Sequence, residues 1–423
     1  MRDYSQVRIL VLGSNPETSE IVRRANLLGC TTFVVNPMEN SPAKSIAGVS
    51  YNADPRNSFE IDEIIRKENI NAVILGVSDP LLPIYREICE RHNFPCYANK
   101  DSVKMLSSKS EFSKYCELFG IKPIPYYDPE QILSALNKTD TFPVVVKPID
   151  SGAAVGISLC MNEIELRVGI KFALDNSINK KIIVEKYMDC DDLFAYFSII
   201  DGQVELAMLA DRYKSTKTGR FNSVCLYANY PSKHLDSFLK ETNSRFIEMI
   251  ESLRIENAVL GIQVFYDGKN FYAYDPGFRI QGEGPHFYLN EIHNFDQIRM
   301  LLEFAIEGKV SENVIDFRND PNLKGLVART IWILGSPGIV SEIIGLDELG
   351  KIPNVIKVLN RFLPGDHLTE EMIGTERQVL MRIYTIGSSR FELDRVALFI
   401  SERVRVNDIA GRSLISDVYS PAS

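Results

Sequence analysis

The sequence predicts an α/β fold at the N-terminus that gives way to a mixed α+β fold in the rest of the chain. Two observations carry this prediction. Short apolar runs alternate with helical patterns over residues 7–99, and strand pairs joined by Asp-Gly turns follow after residue 104. The chain has 423 residues, which is too long for one compact core and predicts two or three domains.

The N-terminal patterns alternate strand and helix. The run "VRILVLG" ends at Gly13, and "ETSEIVRRANLLG" follows with helical spacing. The pattern continues with "TTFVVN", a helix over 57–69, "NAVILGVSD", a helix over 80–93 and "PCYA". Such alternation predicts an open parallel sheet with helices on both faces.

The turn "GSNPETS" after the first strand lacks the GxGxxG spacing of dinucleotide-binding proteins. A plain strand-to-helix turn, with Ser14 or Thr18 as the helix cap, accounts for it at least as well as a phosphate site.

The later elements include two predicted hairpins, which turn at Asp201-Gly202 and at Asp267-Gly268. The remaining predicted elements are the helix "SKSEFSKYCELFG", the strand "FPVVVKP", a helix over 162–175, the strand "KKIIVEKY", a long helix over 233–254, and strands near 325–335, 338–344 and 378–387.

Composition and charge narrow the class of protein. The net charge of −9 argues against a nucleic acid or an anionic membrane as the main partner. No apolar run approaches the roughly 20 residues that span a bilayer, and "MRDYSQVRILVLG" lacks a signal-peptide core. The seven cysteines lack metal-ligand spacing, and His286 and His293 are not spaced as a metal pair and are interpreted as structural. We therefore expect a soluble cytoplasmic protein with reduced thiols.

The stretch "FPVVVKPIDSGAAVGI" places Lys147 inside an apolar strand that runs into a glycine-containing loop. A buried lysine is costly unless an anion neutralises it, although an edge-strand lysine can also extend its ammonium into water. Two further residues have similarly open interpretations. Lys109 lies in the first turn of a helix, where a cation opposes the dipole, and Glu185 fits a solvated strand end.

The order and spacing of these elements resemble the ATP-grasp superfamily, which includes biotin carboxylase, carbamoyl phosphate synthetase, D-alanine–D-alanine ligase and the L-amino-acid ligases. The resemblance extends from residue 7 to about 415. It implies an ATP-grasp fold with an N-terminal open parallel-sheet domain and a C-terminal capping domain. It also implies that Lys109 and Lys147 contact nucleotide phosphates.

The resemblance implies a nucleotide-binding flap at "DSGAAVG", formed by Ser151, Gly152 and Gly156. Glycines let main-chain N–H groups approach phosphate oxygens closely. The anion that faces Lys147 would then be the nucleotide polyphosphate.

The adenine hinge of the superfamily matches "EKYM". Glu185 would accept from the adenine amino group, and the main chain of Lys186 and Met188 would pair with the ring edge. Asp192, seven residues after Glu185, would bind the ribose hydroxyls through charge-assisted hydrogen bonds.

The metal site departs from the superfamily pattern. An acidic or amide residue followed by Glu-x-Asn-x-Arg becomes Gln263 followed by "DPGFR", so that Asp275 replaces Glu, Gly277 replaces Asn and Arg279 is retained. Magnesium takes several of its six oxygens from water and phosphate, so one carboxylate can suffice, with manganese as an alternative ion. Glu283 is a further candidate oxygen donor, but a solvated loop glutamate is the favoured interpretation.

The resemblance assigns catalytic roles to Arg279 and Lys147. Arg279 would hold the transferred phosphoryl group, since a guanidinium fork suits phosphate. A surface salt bridge is the alternative for Arg279.

The segment "DRYKSTKTGRF" places Arg212, Lys214, Lys217 and Arg220 in a single predicted loop. Such charge runs are usually solvated. The alternative is that Arg212 and Arg220 hold an anionic substrate, and the two interpretations stay equally open.

The predicted domains are residues 1–103, an ATP-grasp domain over 104–312 with a mobile subdomain at about 120–190, and a cap over 313–423. The resemblance implies an ATP-dependent, ADP-forming ligase that activates a carboxylate as an acyl phosphate and transfers it to an amine or a thiol. The implied partners are a small carboxylate and a small amine, without nucleic acid or membrane, and a homodimer is an allowed assembly. Two alternatives stay open: a carbamoyl-phosphate-synthetase-like enzyme that phosphorylates bicarbonate, and a degenerate protein that binds ATP without turnover.

Overall fold

The structure is a computed structural model of the chain. It describes residues 3–39, 41–129, 132, 142–149, 155–216, 224–311 and 320–421.

The N-terminal unit is a parallel four-stranded sheet with the strand order β3-β2-β1-β4. Its strands and helices are β1 (Arg8–Leu12), α1 (Pro16–Leu27), β2 (Thr31–Val35), β3 (Val49–Tyr51), α2 (Ser58–Lys67), β4 (Ala72–Leu75) and α3 (Leu82–His92). This confirms the predicted open parallel sheet. Strands β1 and β4 lie side by side although they are not consecutive, and ligands of open α/β sheets bind at such switch points.

Three local predictions in this unit were wrong. "PCYA" forms no strand, and the short strand β3 was not predicted. The cap of α1 is Asn15 rather than Ser14 or Thr18, because the Asn15 side chain accepts from the Thr18 main-chain N–H at 2.8 Å.

A small antiparallel sheet follows, with the strand order β6-β9-β7-β8 and its own hydrophobic core against α6. Helices α4 (Lys100–Leu106) and α5 (Lys109–Leu118) precede this sheet. The elements of the sheet are β6 (Tyr126–Tyr127), β7 (Val144–Pro148), β8 (Ser158–Cys160), α6 (Glu163–Asp175) and β9 (Ile182–Lys186).

The largest sheet described has ten strands. Their order is β18-β20-β15-β12-β11-β10-β13-β14-β5, with β22 paired to β15. Its strands are β5 (Lys122–Pro123), β10 (Asp191–Ile200), β11 (Gln203–Lys214), β12 (Cys225–Tyr230), β13 (Ala258–Tyr266), β14 (Phe271–Gly277), β15 (Val327–Gly335), β18 (Val355–Asn360), β20 (Val379–Gly387) and β22 (Ile415–Val418). Because β12 pairs with β15, one sheet runs across the predicted domain boundary at residue 313, and the domain limits stay a prediction.

The first predicted hairpin turn has the expected geometry. Asp201 and Gly202 have φ of 50° and 77°, as a two-residue hairpin turn requires. The long helix predicted over 233–254 is instead two helices, α7 (Leu235–Glu241) and α8 (Asn243–Glu251). Thr242 lies between them with φ −141°, outside the helical region.

The remaining elements include the strands of two separate two-stranded sheets. They are α9 (Pro285–His293), α10 (Gln297–Glu307), β16 (Gly338–Ile339), β17 (Glu342–Ile344), α11 (Leu346–Leu349), β19 (His367–Leu368), α12 (Arg390–Arg403) and β21 (Arg405–Asn407). None of the helices in the described ranges is both long enough and apolar enough to span a bilayer. All seven cysteines lie within those ranges, and none forms a disulfide there.

Candidate active site

Four of the predicted site residues lie on one face of the large sheet. Asp192 pairs directly with Arg212, and Gln263 pairs directly with Asp275. Gln263 also pairs with Phe194, two residues after Asp192 on β10. Directly paired residues, and residues two apart on a strand, share a face of a sheet. The register therefore brings together the predicted ribose, substrate and metal residues.

Two lysines reach this face from other elements. Lys109, the first residue of α5, places its Nζ 3.6 Å from Asp275 Oδ1. Lys147, on β7 of the small sheet, places its Nζ 5.8 Å from the centre of the Tyr274 ring. The predicted phosphate-binding lysines thus border the predicted metal-binding hairpin from two sides.

Lys147 is buried, and the anion it faces in the structure is the Glu185 carboxylate. Its Nζ lies 2.6 Å from Glu185 Oε2, and both residues are 6% exposed. Strands β7 and β9 are antiparallel neighbours, which brings the two residues together. Neither the exposed-lysine interpretation nor the solvated-glutamate interpretation holds. Contact of Lys147 with phosphate stays a prediction.

The hinge and flap residues are placed in part. The main-chain N–H of Lys186 donates to Pro125 O at 2.8 Å. The predicted contact of Lys186 with the adenine ring would therefore be made by its carbonyl oxygen. Met188 follows β9 and is half-buried. Gly156 has φ +79°, and a Cβ there would lie 2.8 Å from the Pro148 side chain, so only glycine fits. Ser151 and Gly152 lie outside the described residues.

Asp192 is buried and is contacted by several side chains. Tyr274 Oη donates to its Oδ1 at 3.0 Å, and Lys214 Nζ lies 3.0 Å from its Oδ2. Burial first, and then the Asp192 carboxylate, raise the pKa of Tyr274 well above its ordinary value, so the phenol remains a donor at neutral pH. Sequence reasoning missed Tyr274, because an aromatic residue in a strand pattern gives no functional signal.

Arg212 is a strand residue and not a loop residue, in contrast to the prediction. Its side chain is 7% exposed, its Nη1 lies 3.7 Å from Asp192 Oδ1, and its Nε lies 3.2 Å from Glu283 Oε1. Its charge is therefore met by two carboxylates. Lys217 and Arg220, from the same predicted loop, lie outside the described residues.

Glu283 is not a solvated loop residue, which corrects the favoured interpretation. Its side chain is 13% exposed, and Tyr196 Oη donates to it at 2.7 Å. Burial raises the pKa of Glu283, although the nearby Arg212 guanidinium acts in the opposite direction. Its bonds to Tyr196 and Arg212 make it part of a buried network under the site.

The hairpin residues suit a hard divalent cation. Gln263 and Asp275 present an amide oxygen and a carboxylate on facing strands, and oxygen donors of this kind suit magnesium. In the described part of the chain, no group of three or more His, Cys, Asp or Glu side chains is placed to hold a metal. A metal at this hairpin would thus depend on amide and nucleotide oxygens as well as on Asp275.

Arg279 follows β14 and is held by the N-terminal unit. Its Nη2 lies 2.5 Å from Asp79 Oδ2, and its Nη1 donates to Ile280 O at 2.9 Å. Asp79 follows β4 at the switch point. The segment before Asp79 is fixed by the first turn, because Asn15 Nδ2 donates to Val77 O and Val77 N–H donates to Thr18 Oγ1.

A buried ionic cluster joins the N-terminal unit to the cap beside this site. Glu17 of α1 contacts Arg382 of β20, and Arg361 Nε lies 3.2 Å from the same carboxylate. Arg382 also donates to Gly282 O at 2.8 Å, three residues after Arg279. Burial opposes ionisation, but Arg361 and Arg382 together hold the pKa of Glu17 below its usual value.

Next to this cluster is a narrow cleft between α1, the loop before α9 and the cap strands, without room for a water-sized molecule. Its lining includes Glu17, Glu20, His286 and Tyr384. Both ring nitrogens of His286 and the Tyr384 hydroxyl are buried without a hydrogen-bond partner within the described ranges. Burial lowers the pKa of His286 to about 4, so the imidazole is neutral at pH 7. The sequence spacing had indicated only a structural histidine.

Comparisons with known proteins identify the fold that carries this site. Residues 125–293 match the family model described as D-ala D-ala ligase C-terminus. The crystal structure of an L-amino acid ligase from Bacillus licheniformis superposes with a TM-score of 0.76 at 16% identity, covering 95% of this chain and 98% of the other. A biotin carboxylase from Campylobacter jejuni gives a TM-score of 0.73 at 15% identity, covering 95% and 92%. The fold is therefore the ATP-grasp fold, and the predicted superfamily is confirmed.

Among curated proteins, the formate-dependent phosphoribosylglycinamide formyltransferase of Bacillus subtilis is 28% identical over 197 residues, which is 44% of this chain and 49% of the relative. That of Francisella tularensis (strain WY96-3418) is 27% identical over 199 residues, which is 45% of this chain and 50% of the relative. The chain spans about half the length of the curated relatives it matches. The chain thus has the ATP-grasp fold, and its residues 125–293 are similar to the D-ala D-ala ligase C-terminus.

Proposed function

We propose that the protein is an ATP-dependent, ADP-forming ligase that activates a small carboxylate as an acyl phosphate and transfers the acyl group to an amine. The observation that carries the proposal is the single face of the large sheet that presents Asp192, Gln263 and Asp275 toward Lys109 and Lys147. The net charge of −9 and the unpaired cysteines fit a cytoplasmic enzyme that acts on small molecules.

The proposed reaction starts with attack of the substrate carboxylate on the γ-phosphate of ATP. Lys109 and Lys147 would neutralise the phosphate oxygens, and Arg279 would hold the group in transfer. Gln263 and Asp275 would hold magnesium, which supplies further charge neutralisation when bound. No side-chain nucleophile is needed, because positioning and electrostatics lower the barrier.

When ATP binds, Lys147 and Glu185 would exchange part of their contact with each other for contacts with the nucleotide. Glu185 would accept from the adenine amino group while Lys147 turns toward phosphate. Asp192 already accepts a hydrogen bond from Tyr274 and faces Lys214. Its carboxylate would also accept hydrogen bonds from the ribose hydroxyls.

Arg212 was predicted to hold the acid substrate, but its charge is already met by Asp192 and Glu283.

The competing candidate within the enzyme class phosphorylates bicarbonate, and the likeness of the fold to a biotin carboxylase favours it. A protein that binds ATP without turnover is the candidate outside the enzyme class, and Gly277 is its main support. Phosphate release from ATP separates the three. We expect release to require one acid and one amine together. Release with bicarbonate alone would support the carboxylase-like function, and no release with any pair would support nucleotide binding without turnover.

A further inference from the structure

Gln281 fills the space above two facing glycines of the metal-binding hairpin. Gly261 and Gly277 pair directly across β13 and β14. A Cβ at Gly277 would lie 2.9 Å from Gln281 Oε1, and a Cβ at Gly261 would lie 2.8 Å from the same oxygen. The Gln281 amide and the Phe194 ring, whose Cε2 would lie 2.6 Å from a Cβ at Gly261, together take the volume that two side chains would need.

The amide of Gln281 is held in one orientation. Its Nε2 donates to Gly277 O at 2.6 Å and to Arg279 O at 2.5 Å, and the residue is 6% exposed. Since both acceptors are carbonyls, the nitrogen must face them and the oxygen must take the opposite position. The position of Oε1 is thus set by the main chain of the loop that also carries Arg279.

This oxygen lies on the same face as the predicted metal ligands. Gly277 is two residues after Asp275, and Gly261 is two residues before Gln263, so both pairs project to one side. Successive pairs on one face are about 7 Å apart along the strands, a distance that side chains of this length can span around one ion. The superfamily resemblance expects an amide at position 277, and Gln281 brings an amide oxygen close to where that side chain would start.

We propose that Gln281 supplies the amide oxygen that Gly277 lacks and is a ligand of the nucleotide-bound divalent cation together with Gln263 and Asp275. The substitution of Asn by Gly at 277 is then compensated within the chain, and the metal site is complete in a rearranged form. The proposal rests on the proposed function, because the cation would be bound with the nucleotide.

Mn²⁺ binding in the presence of ADP, measured by electron paramagnetic resonance, tests the assignment without requiring turnover. Gln281→Met keeps most of the volume and removes the oxygen, so we expect the Kd for Mn²⁺ to rise about 10-fold. Gln297→Met is the matched control, because Gln297 is also a buried glutamine but bonds Ser198 away from the hairpin.

Moving the amide from position 281 to position 277 is the more decisive experiment. Gly277→Asn alone should disturb the site, because its Cβ would meet Gln281 Oε1. The double variant Gly277→Asn, Gln281→Ala moves the amide to the superfamily position and should restore Mn²⁺ affinity to within about 3-fold of wild type. This arm decides the question if Gln281→Met does not fold.

ADP binding without metal, measured by calorimetry in the presence of a chelator, distinguishes failure of the metal assignment from failure of the proposed function. Mn²⁺ affinity that is unchanged in Gln281→Met while ADP still binds would overturn the role of Gln281 and leave the proposed function standing. So would a double variant that folds but binds Mn²⁺ as weakly as Gln281→Met. Wild-type protein that binds no ADP would overturn the proposed function, and the metal assignment with it.

Discussion

At the scale of single residues, the pair of Lys147 and Glu185 governs the predicted nucleotide pocket. The two charges lie 2.6 Å apart and are almost fully buried, so each neutralises the other. Loss of one partner of such a pair leaves an uncompensated buried charge.

We predict that Lys147→Ala lowers both stability and ATP affinity. The free energy of unfolding should fall by about 3–5 kcal/mol, because Glu185 loses its partner. ATP binding should weaken by about 1–3 kcal/mol through the loss of a charged hydrogen bond. Urea unfolding and calorimetry measure the two effects, with Lys122→Ala, an exposed strand lysine, as the control. Unchanged ATP affinity would remove Lys147 from the nucleotide site.

We predict that His286 makes stability depend on pH. Its folded-state pKa of about 4 lies below the ordinary value of 6.5, so the unfolded chain binds the extra proton between these values. Stability is therefore full above pH 6.5 and falls as the pH drops toward 4, by up to about 1.4 kcal/mol per pH unit. Urea midpoints of wild type and His286→Gln between pH 4 and 7 measure this. Parallel curves for the two proteins would contradict it.

At the scale of elements, the loop after β4 and the loop after β14 meet at Arg279. The first βα turn fixes Val77 through Asn15 and Thr18, and Asp79 then contacts the guanidinium. One carboxylate of the N-terminal unit, that of Asp79, thus positions Arg279 for the proposed chemistry.

We predict that Asp79→Asn lowers the turnover number about 10- to 100-fold, because a misplaced Arg279 no longer matches the phosphoryl group in transfer. The Michaelis constant for ATP should stay within about 2-fold, since Asp79 contacts no predicted nucleotide residue. Asp79→Glu should recover part of the rate. Asp54→Asn, another exposed aspartate of the same unit, is the control. Equal rates for Asp79→Asn and wild type would make the contact a surface salt bridge.

At the scale of the whole molecule, Glu17 ties α1 to two strands of the cap. Arg361 and Arg382 share its carboxylate, and all three groups are largely buried. The cluster therefore couples the first and last parts of the chain around the cleft.

We predict that Glu17→Gln destabilises the protein by about 3–5 kcal/mol, because the largely buried Arg361 guanidinium loses this carboxylate and Arg382 is left with Glu376. Since that carboxylate has a lowered pKa, its contribution is present above the ordinary value of 4.5 and is lost as the pH falls through the folded-state value. Urea unfolding at pH 7 measures the loss, and Glu63→Gln, an exposed residue of α2, is the control. A variant as stable as wild type would make the cluster energetically neutral.

The sequence allowed prediction of features that depend on local order. Strand patterns and an Asp-Gly turn predicted the second hairpin, but a two-residue turn at Asp267-Gly268 would set Gln263 opposite Tyr272. The structure has a longer connection between Tyr266 and Phe271 and a bulge, which set Gln263 opposite Asp275 instead. Contacts between distant segments carry no local signal. Arg382 and Glu17 are 365 residues apart, and Arg279 and Asp79 are 200 apart. Arg212 was predicted to lie in a loop because a run of charged residues is typical of a loop. In the structure it is a buried strand residue, and Asp192 and Glu283 neutralise its charge.

The central claim is activation of a carboxylate as an acyl phosphate, and oxygen transfer tests it most directly. Once a productive acid–amine pair is found, the acid is supplied with ¹⁸O in its carboxylate, and the released phosphate is examined by mass spectrometry. The acyl phosphate loses phosphate together with the bridging oxygen, so each phosphate should carry one ¹⁸O. Phosphate without ¹⁸O would show that the carboxylate never attacked ATP and would contradict the account.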